Sequence, residues 1–207
     1  MNREALVITG LNPTVLCFSD EMPVGRRIKS DAEKFLSDGL GIKTTIFESN
    51  WKTRGSLDKL INDLDNQIDR IDDEVVLIGL SAGMTASLIA KNKYGEKIPK
   101  IISLCGWSRE DNNLTSFERK KLDNLRLPNP VFGQAVSVYT EIHDNLSLDN
   151  WEKILLFWAE HDKIVPESCS KHSGMVEMRK IKGVGHVRGI LLGLTKIGEM
   201  RRFIEAK

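Results

Sequence analysis

A chain of 207 residues can bury a proper core, and no shift in its composition marks a second domain, so residues 1–207 are expected to form one α/β domain. Hydrophobic residues make up 41%, the share of a folded chain, which argues against disorder. Lys and Arg number 30 against 29 Asp and Glu, a net charge of +1, which gives no electrostatic reason to expect nucleic acid or an anionic membrane as partner.

The amino-terminal apolar run, Ala5 to Ile8, is too short for the core of a signal peptide. No segment approaches the ~18 apolar residues of a membrane span, so membrane insertion is not expected. Cys17, Cys105 and Cys169 are odd in number and widely spaced. They offer neither a disulfide framework nor a metal-ligand cluster, and a reduced, cytoplasmic protein is the expectation.

In chain order, residues 4–10 read as a first strand, ending in Leu11-Asn12-Pro13-Thr14. Residues 15–19 read either as more loop or as a short extra strand. Residues 25–36 form a helical pattern with Ile28, Ala32, Phe35 and Leu36 on one face, closed by Gly39 and Gly41. Residues 42–48 are rich in β-branched side chains and predict the second strand. Ser56 opens a helix whose stripe is Leu57, Leu60, Ile61, Leu64, Ile68 and Ile71.

Val75 to Ile78 is a short, wholly apolar run, as a strand buried on both faces requires. After Gly83 the period changes to that of a helix, carrying Met84, Leu88 and Ile89 among small Ala82, Ala86 and Ala90. Between them lies Gly79-Leu80-Ser81-Ala82-Gly83, a G-x-S-x-G. A strand turning sharply into a helix strains its central residue and projects that residue's hydroxyl. Residues two before and two after are crowded, so glycine fits both places. The backbone N–H of Ala82, at the start of the helix, can donate to a developing oxyanion.

Residues 97–105 predict a fourth strand, closed by Gly106-Trp107. Residues 108–150 are long and polar for a crossover, with helical patterns at 116–125 and 131–145. They read as a small cap over the pocket or as one extended crossover helix with a surface loop. Residues 153–159 and 175–182 predict the fifth and sixth strands. Residues 190–204 predict a final helix with Leu191, Leu194, Ile197, Met200 and Ile204 as its stripe. Strands alternating with helices argue for a mainly parallel sheet with helices on both faces.

A serine hydroxyl needs a neighbouring base. Of His143, His161, His172 and His186, the last follows the sixth strand in Gly183-Val184-Gly185-His186, on the sheet edge that would also carry Ser81. His172 reads as surface, and His161 as a structural neighbour of the acid. The base needs a carboxylate to fix its tautomer. Asp162, after the fifth strand, is favoured; Glu160, Glu110 and Asp111 are its rivals. A second oxyanion donor is expected after the first strand, with the N–H of Leu11 the candidate and Asn12 able to add a side-chain contact to substrate. Gly183-Val184-Gly185 is only part of a dinucleotide fingerprint, since Arg188 stands where the third glycine belongs. No phosphate-binding loop and no zinc spacing is present.

On GLSAG with Ser81, HDKIVP with Asp162 and GVGH with His186, in that order, the chain resembles the α/β-hydrolase superfamily, specifically its small, nearly cap-less serine esterase-like members. The resemblance implies a minimal α/β-hydrolase fold, with the catalytic groups at the carboxyl edge of the sheet. It implies hydrolysis of a small ester through an acyl-enzyme, as a carboxylesterase does, with no cofactor and no metal. Thioesterase or lysophospholipase activity is the alternative within the enzymes, and a non-catalytic binding protein the alternative outside them. Larger members begin with an antiparallel hairpin, for which there is no room before Glu4, so the expected strand order is 2-1-3-4-5-6. Many relatives carry His-Gly at the oxyanion loop, where this chain has Thr9-Gly10.

Overall fold

The computed structural model describes residues 3–10, 23–49, 51, 56–106, 115–145, 147–165 and 177–206. Its sheet contains β1 (Arg3–Ile8), β2 (Lys43–Phe47), β3 (Glu74–Leu80), β4 (Ile101–Leu104), β5 (Ile154–Ala159) and β6 (Glu177–Ile181). The order is β2-β1-β3-β4-β5-β6, and all five pairings are parallel. This is the expected order.

The helices are α1 (Pro23–Leu40), α2 (Leu57–Asp69), α3 (Gly83–Tyr94), α4 (Ser116–Arg126), α5 (Pro130–Asn145), α6 (Leu148–Trp151), α7 (His186–Leu194) and α8 (Ile197–Glu205). Among the described residues, no helix is long and apolar enough to cross a membrane.

β3 shows why the apolar run is a central strand. Successive side chains face opposite ways, so Val75 and Leu77 enter one core while Val76, Ile78 and Leu80 enter the other. The first core is closed by Leu60, Leu64 and Ile68 of α2, Ala86 of α3 and Phe132 of α5. The second is closed by Leu36 and Leu40 of α1, Ile190 of α7, and Met200 and Phe203 of α8. A fully buried aliphatic side chain of this kind contributes about 1.5–3 kcal/mol. Because every strand is parallel, the carboxyl ends of β1, β3, β5 and β6 all open on one edge.

Two helices depart from their expected form. α1 runs to Leu40, straight through Gly39, whose missing Cβ leaves room for Ile197 of α8; a Cβ there would lie 2.7 Å from Ile197 Cγ2. Gly41, at φ +72°, is the residue that ends it. The expected stripe on α1 is also displaced: Leu36 and Leu40 are buried, whereas Phe35 is 54% exposed. The single carboxyl-terminal helix is two. It breaks at Thr195-Lys196, where the Thr195 hydroxyl and N–H both return to the Leu192 carbonyl. The break lets α7 lie on β4 and β5 while α8 turns under α1. Leu191, placed in the expected stripe, is exposed.

Within residues 108–150, the part from 108 to 114 lies outside the described residues, as do residues 15–19. Thr115 caps α4 through a reciprocal bond pair with Glu118, and α4 reaches the loop after β5 where Lys121 Nζ donates to the Lys163 carbonyl at 3.2 Å. α5 starts on Pro130 and buries Val131, Phe132, Ala135 and Val136 in the first core, so this helix belongs to the body of the fold.

Candidate active site

The structure brings Ser81, Asp162 and His186 together. Their chain positions are far apart, but each follows a strand at the carboxyl edge: Ser81 directly after β3, Asp162 three residues past β5, His186 five residues past β6. His186 Nε2 lies 2.9 Å from Ser81 Oγ, and His186 Nδ1 lies 2.7 Å from Asp162 Oδ2. The imidazole and carboxylate side chains are only 8% and 5% exposed, so little water competes for these bonds.

Asp162 is anchored through its other oxygen. Oδ1 accepts the backbone N–H groups of Ile164 at 2.8 Å and Val165 at 2.9 Å. That turn fixes the carboxylate plane and leaves Oδ2 for the imidazole. His186 is the first residue of α7, preceded by Gly185 in extended backbone and Gly183 at φ +71°. The two glycines thus deliver the ring from a helix start, not from the tip of a loop.

No protein-family model matches this sequence, and no curated protein matches it. Solved structures do. The pyrethroid hydrolase PytH is 13% identical and superposes with a TM-score of 0.67, covering 100% of this chain and 98% of its own. A bromoperoxidase from Bacillus anthracis is 14% identical, with a TM-score of 0.59 over 100% of this chain and 93% of its own. A monoacylglycerol lipase of Paleococcus ferrophilus, at 14% identity, gives 0.54 over 97% and 94%. The fold is that of the α/β-hydrolases.

In this α/β-hydrolase fold the turn between β3 and α3 is strained as the spacing requires. Ser81 sits at φ +52°, a conformation that costs a residue with a Cβ about 1–3 kcal/mol. The crowding around it has two separate sources. A Cβ on Gly79 would meet Met84 N at 2.6 Å, within the turn itself. A Cβ on Gly83 would stand 2.1 Å from the Ile8 carbonyl oxygen, so that glycine is demanded by β1 and not by its partner in the motif. Ala82 immediately precedes α3, where N–H groups have no acceptor inside the helix.

Gly10 closes the other side. Its Cα comes so near the nucleophile that a Cβ would lie 2.9 Å from Ser81 Cβ and 3.5 Å from Ser81 Oγ. Leu11 and Asn12, the expected second donor and substrate contact, lie outside the described residues. So do Glu110 and Asp111, rivals of Asp162, and His172.

Glu160, the remaining rival, points elsewhere. Its Oε2 accepts the Gly183 N–H at 2.9 Å and its Oε1 pairs with Lys180 Nζ at 2.5 Å. Lys180 first, and then that N–H, hold its carboxyl below the usual range. Glu160 therefore braces the loop leading to His186 without touching the imidazole. The His161 N–H bonds the Val184 carbonyl at 2.9 Å in the same brace, and its ring is exposed.

Two features escaped the sequence reading. Cys105, just past β4, also adopts a positive φ of +51°, and its thiol is pushed up to about 12, by burial first and then by the charge of Asp162. Thr9, Ser49 and Trp51 form a buried hydrogen-bonded cluster beside Gly10. The available signal was position: Ser49 and Trp51 follow β2 on the edge that carries Ser81. Among the described residues, no group of three or more His, Cys, Asp or Glu side chains is arranged to hold a metal ion.

Proposed function

We propose that the protein is a serine hydrolase of small esters, carboxylesterase-like in mechanism. The observation that carries this reading is the unbroken hydrogen-bonded line from Ser81 through His186 to Asp162. For His186 Nε2 to accept the Ser81 hydroxyl proton, the ring proton must reside on Nδ1, where Asp162 Oδ2 receives it. Ser81 Oγ attacks the ester carbonyl as its proton passes to Nε2. The charge on the carbonyl oxygen falls beside the Ala82 N–H, with the Leu11 N–H as second donor and Asn12 as a substrate contact. His186 returns the proton to the leaving alcohol, and water then releases the acyl group through the same base. Asp162 stays ionised and offsets the imidazolium charge.

Because PytH is named for pyrethroid hydrolysis and other neighbours are a lipase and a bromoperoxidase, one fold hosts several substrate classes. The substrate is therefore argued from the site, and the Ser-His-Asp arrangement suits acyl transfer. The test is turnover of short p-nitrophenyl esters by the wild type and by Ser81→Ala. The expected result is activity that the substitution abolishes while the circular dichroism spectrum is unchanged. Equal activity in both proteins would refute the proposal, and a wild type without activity would favour a binding protein. Extending the series to long-chain esters and thioesters separates a carboxylesterase from a lysophospholipase or thioesterase.

A further inference from the structure

We infer that Ser49 and Trp51 are positioning residues that orient the Thr9–Gly10 peptide against the nucleophile. The inference rests on the hydrolase reading above and adds to it the device that stands where many relatives carry His-Gly.

All three polar residues of the cluster are buried, Thr9 at 0% exposure and Ser49 and Trp51 at 1%. The Thr9 carbonyl accepts twice, from the Ser49 hydroxyl at 2.5 Å and from Trp51 Nε1–H at 3.1 Å. The Thr9 hydroxyl oxygen accepts the Ser49 backbone N–H at 3.0 Å. The two hydroxyl oxygens lie 3.1 Å apart. Ser49 has one hydroxyl proton, already given to the carbonyl, so in this last bond Thr9 donates. The Thr9 N–H donates to the Phe47 carbonyl at 3.2 Å. Every polar group of Thr9 is thus held by the end of β2 and the residues just after it.

The consequence falls on Gly10. A peptide unit is planar, so a carbonyl held by two donors fixes the plane that also carries the Gly10 N–H and Cα. That Cα is the atom whose absent Cβ would press on Ser81. Rotation of the plane therefore moves the Gly10 backbone relative to Ser81 Oγ. Trp51 is itself fixed from behind, edge-on to Phe132 of α5 with ring centroids 6.0 Å apart at 84°. Neither Ser49 nor Trp51 touches the reacting atoms in this account; both act through Thr9.

Trp51→Phe deletes the N–H and keeps an aromatic ring against Phe132. Ser49→Ala deletes the other donor with little change of volume. Both are measured with a p-nitrophenyl ester, and kcat is normalised to the fraction of Ser81 that a fluorophosphonate titrates to completion, so partly unfolded protein is not counted. The expected result is a per-site kcat lowered about tenfold or more with KM changed less than about twofold, the signature of a misplaced reacting group. A per-site kcat lowered less than about fivefold in both variants overturns the inference, since a purely structural cluster changes the active fraction and not the rate per site. If Trp51→Phe fails to fold, Ser49→Ala alone decides by the same thresholds. A wild type without ester turnover would instead remove the hydrolase reading, which keeps the two failures apart.

Discussion

Asp162→Asn keeps the shape of the side chain and removes its charge, and the local geometry dictates how the amide must sit. Two backbone N–H groups, from Ile164 and Val165, converge on Oδ1. The amide oxygen belongs there, because an NH2 would face two donors. The NH2 then points at His186 Nδ1, across the 2.7 Å now spanned by the carboxylate bond. Nδ1 must accept, the ring proton moves to Nε2, and the imidazole can no longer take the Ser81 proton. Recovering the working tautomer requires flipping the amide and leaving both N–H groups unsatisfied, about 1–3 kcal/mol each. Ile164 is partly exposed, so the lower end applies, about 2–4 kcal/mol in all. At about 1.4 kcal/mol per decade this is a loss of roughly 30-fold to 10³-fold in kcat. Loss of the charge opposite the imidazolium adds to it. The assay is kcat on a p-nitrophenyl ester, with fluorescence to show that the variant is folded and NMR of the imidazole N–H to locate the proton. A folded Asp162→Asn within about fivefold of wild-type kcat would refute the reasoning.

Three further results are expected. Ser81→Gly should be more stable than Ser81→Ala by about 1 kcal/mol, because only glycine is free of strain at a positive φ; thermal unfolding should separate them by about 2–4 °C, and an equal Tm would deny the strain. Gly83→Ala drives a Cβ into the Ile8 carbonyl, a backbone contact that no side-chain rotation relieves, and should lower stability by about 3 kcal/mol or more. An unchanged urea midpoint would show that α3 is not held against β1 as described. With its thiol raised to about 12, Cys105 carries roughly 10⁻⁴ thiolate at pH 8. Peptide mapping should therefore find it unmodified by iodoacetamide in the folded protein and alkylated in guanidinium; rapid alkylation of the native state would contradict its burial.

The β3–Ser81–α3 unit was legible in the sequence from its apolar run and glycine spacing: Gly79 answers to sterics within the turn itself, whereas the contact that demands Gly83 is with Ile8 of β1. Strand order followed from alternation and from the resemblance. Asp162 and His186 were legible as residues that follow strands on one edge of a parallel sheet. Most of the failures share another cause, contacts between residues distant in the chain. Gly39 looked like a helix stop, but it is kept inside α1 by Ile197, 158 positions later. The period of 3.6 continues across Thr195-Lys196, so nothing in the pattern marks the break between α7 and α8. Glu160 stood as a rival to the favoured Asp162, and the sequence could not show that Lys180 and the Gly183 N–H occupy both its oxygens. Thr9 looked like a lapse from His-Gly, and its partners Ser49 and Trp51 lie 40 and 42 residues away.

The central claim is that Ser81 is a nucleophile made reactive by His186. The most direct measurement is covalent capture by a fluorophosphonate, with the modified peptide identified by mass spectrometry. The account predicts one adduct per chain, on Ser81, lost in Ser81→Ala and slowed at least about a hundredfold in His186→Ala. No adduct on the folded protein, or an adduct on Ser81 formed equally fast without the imidazole, would contradict it.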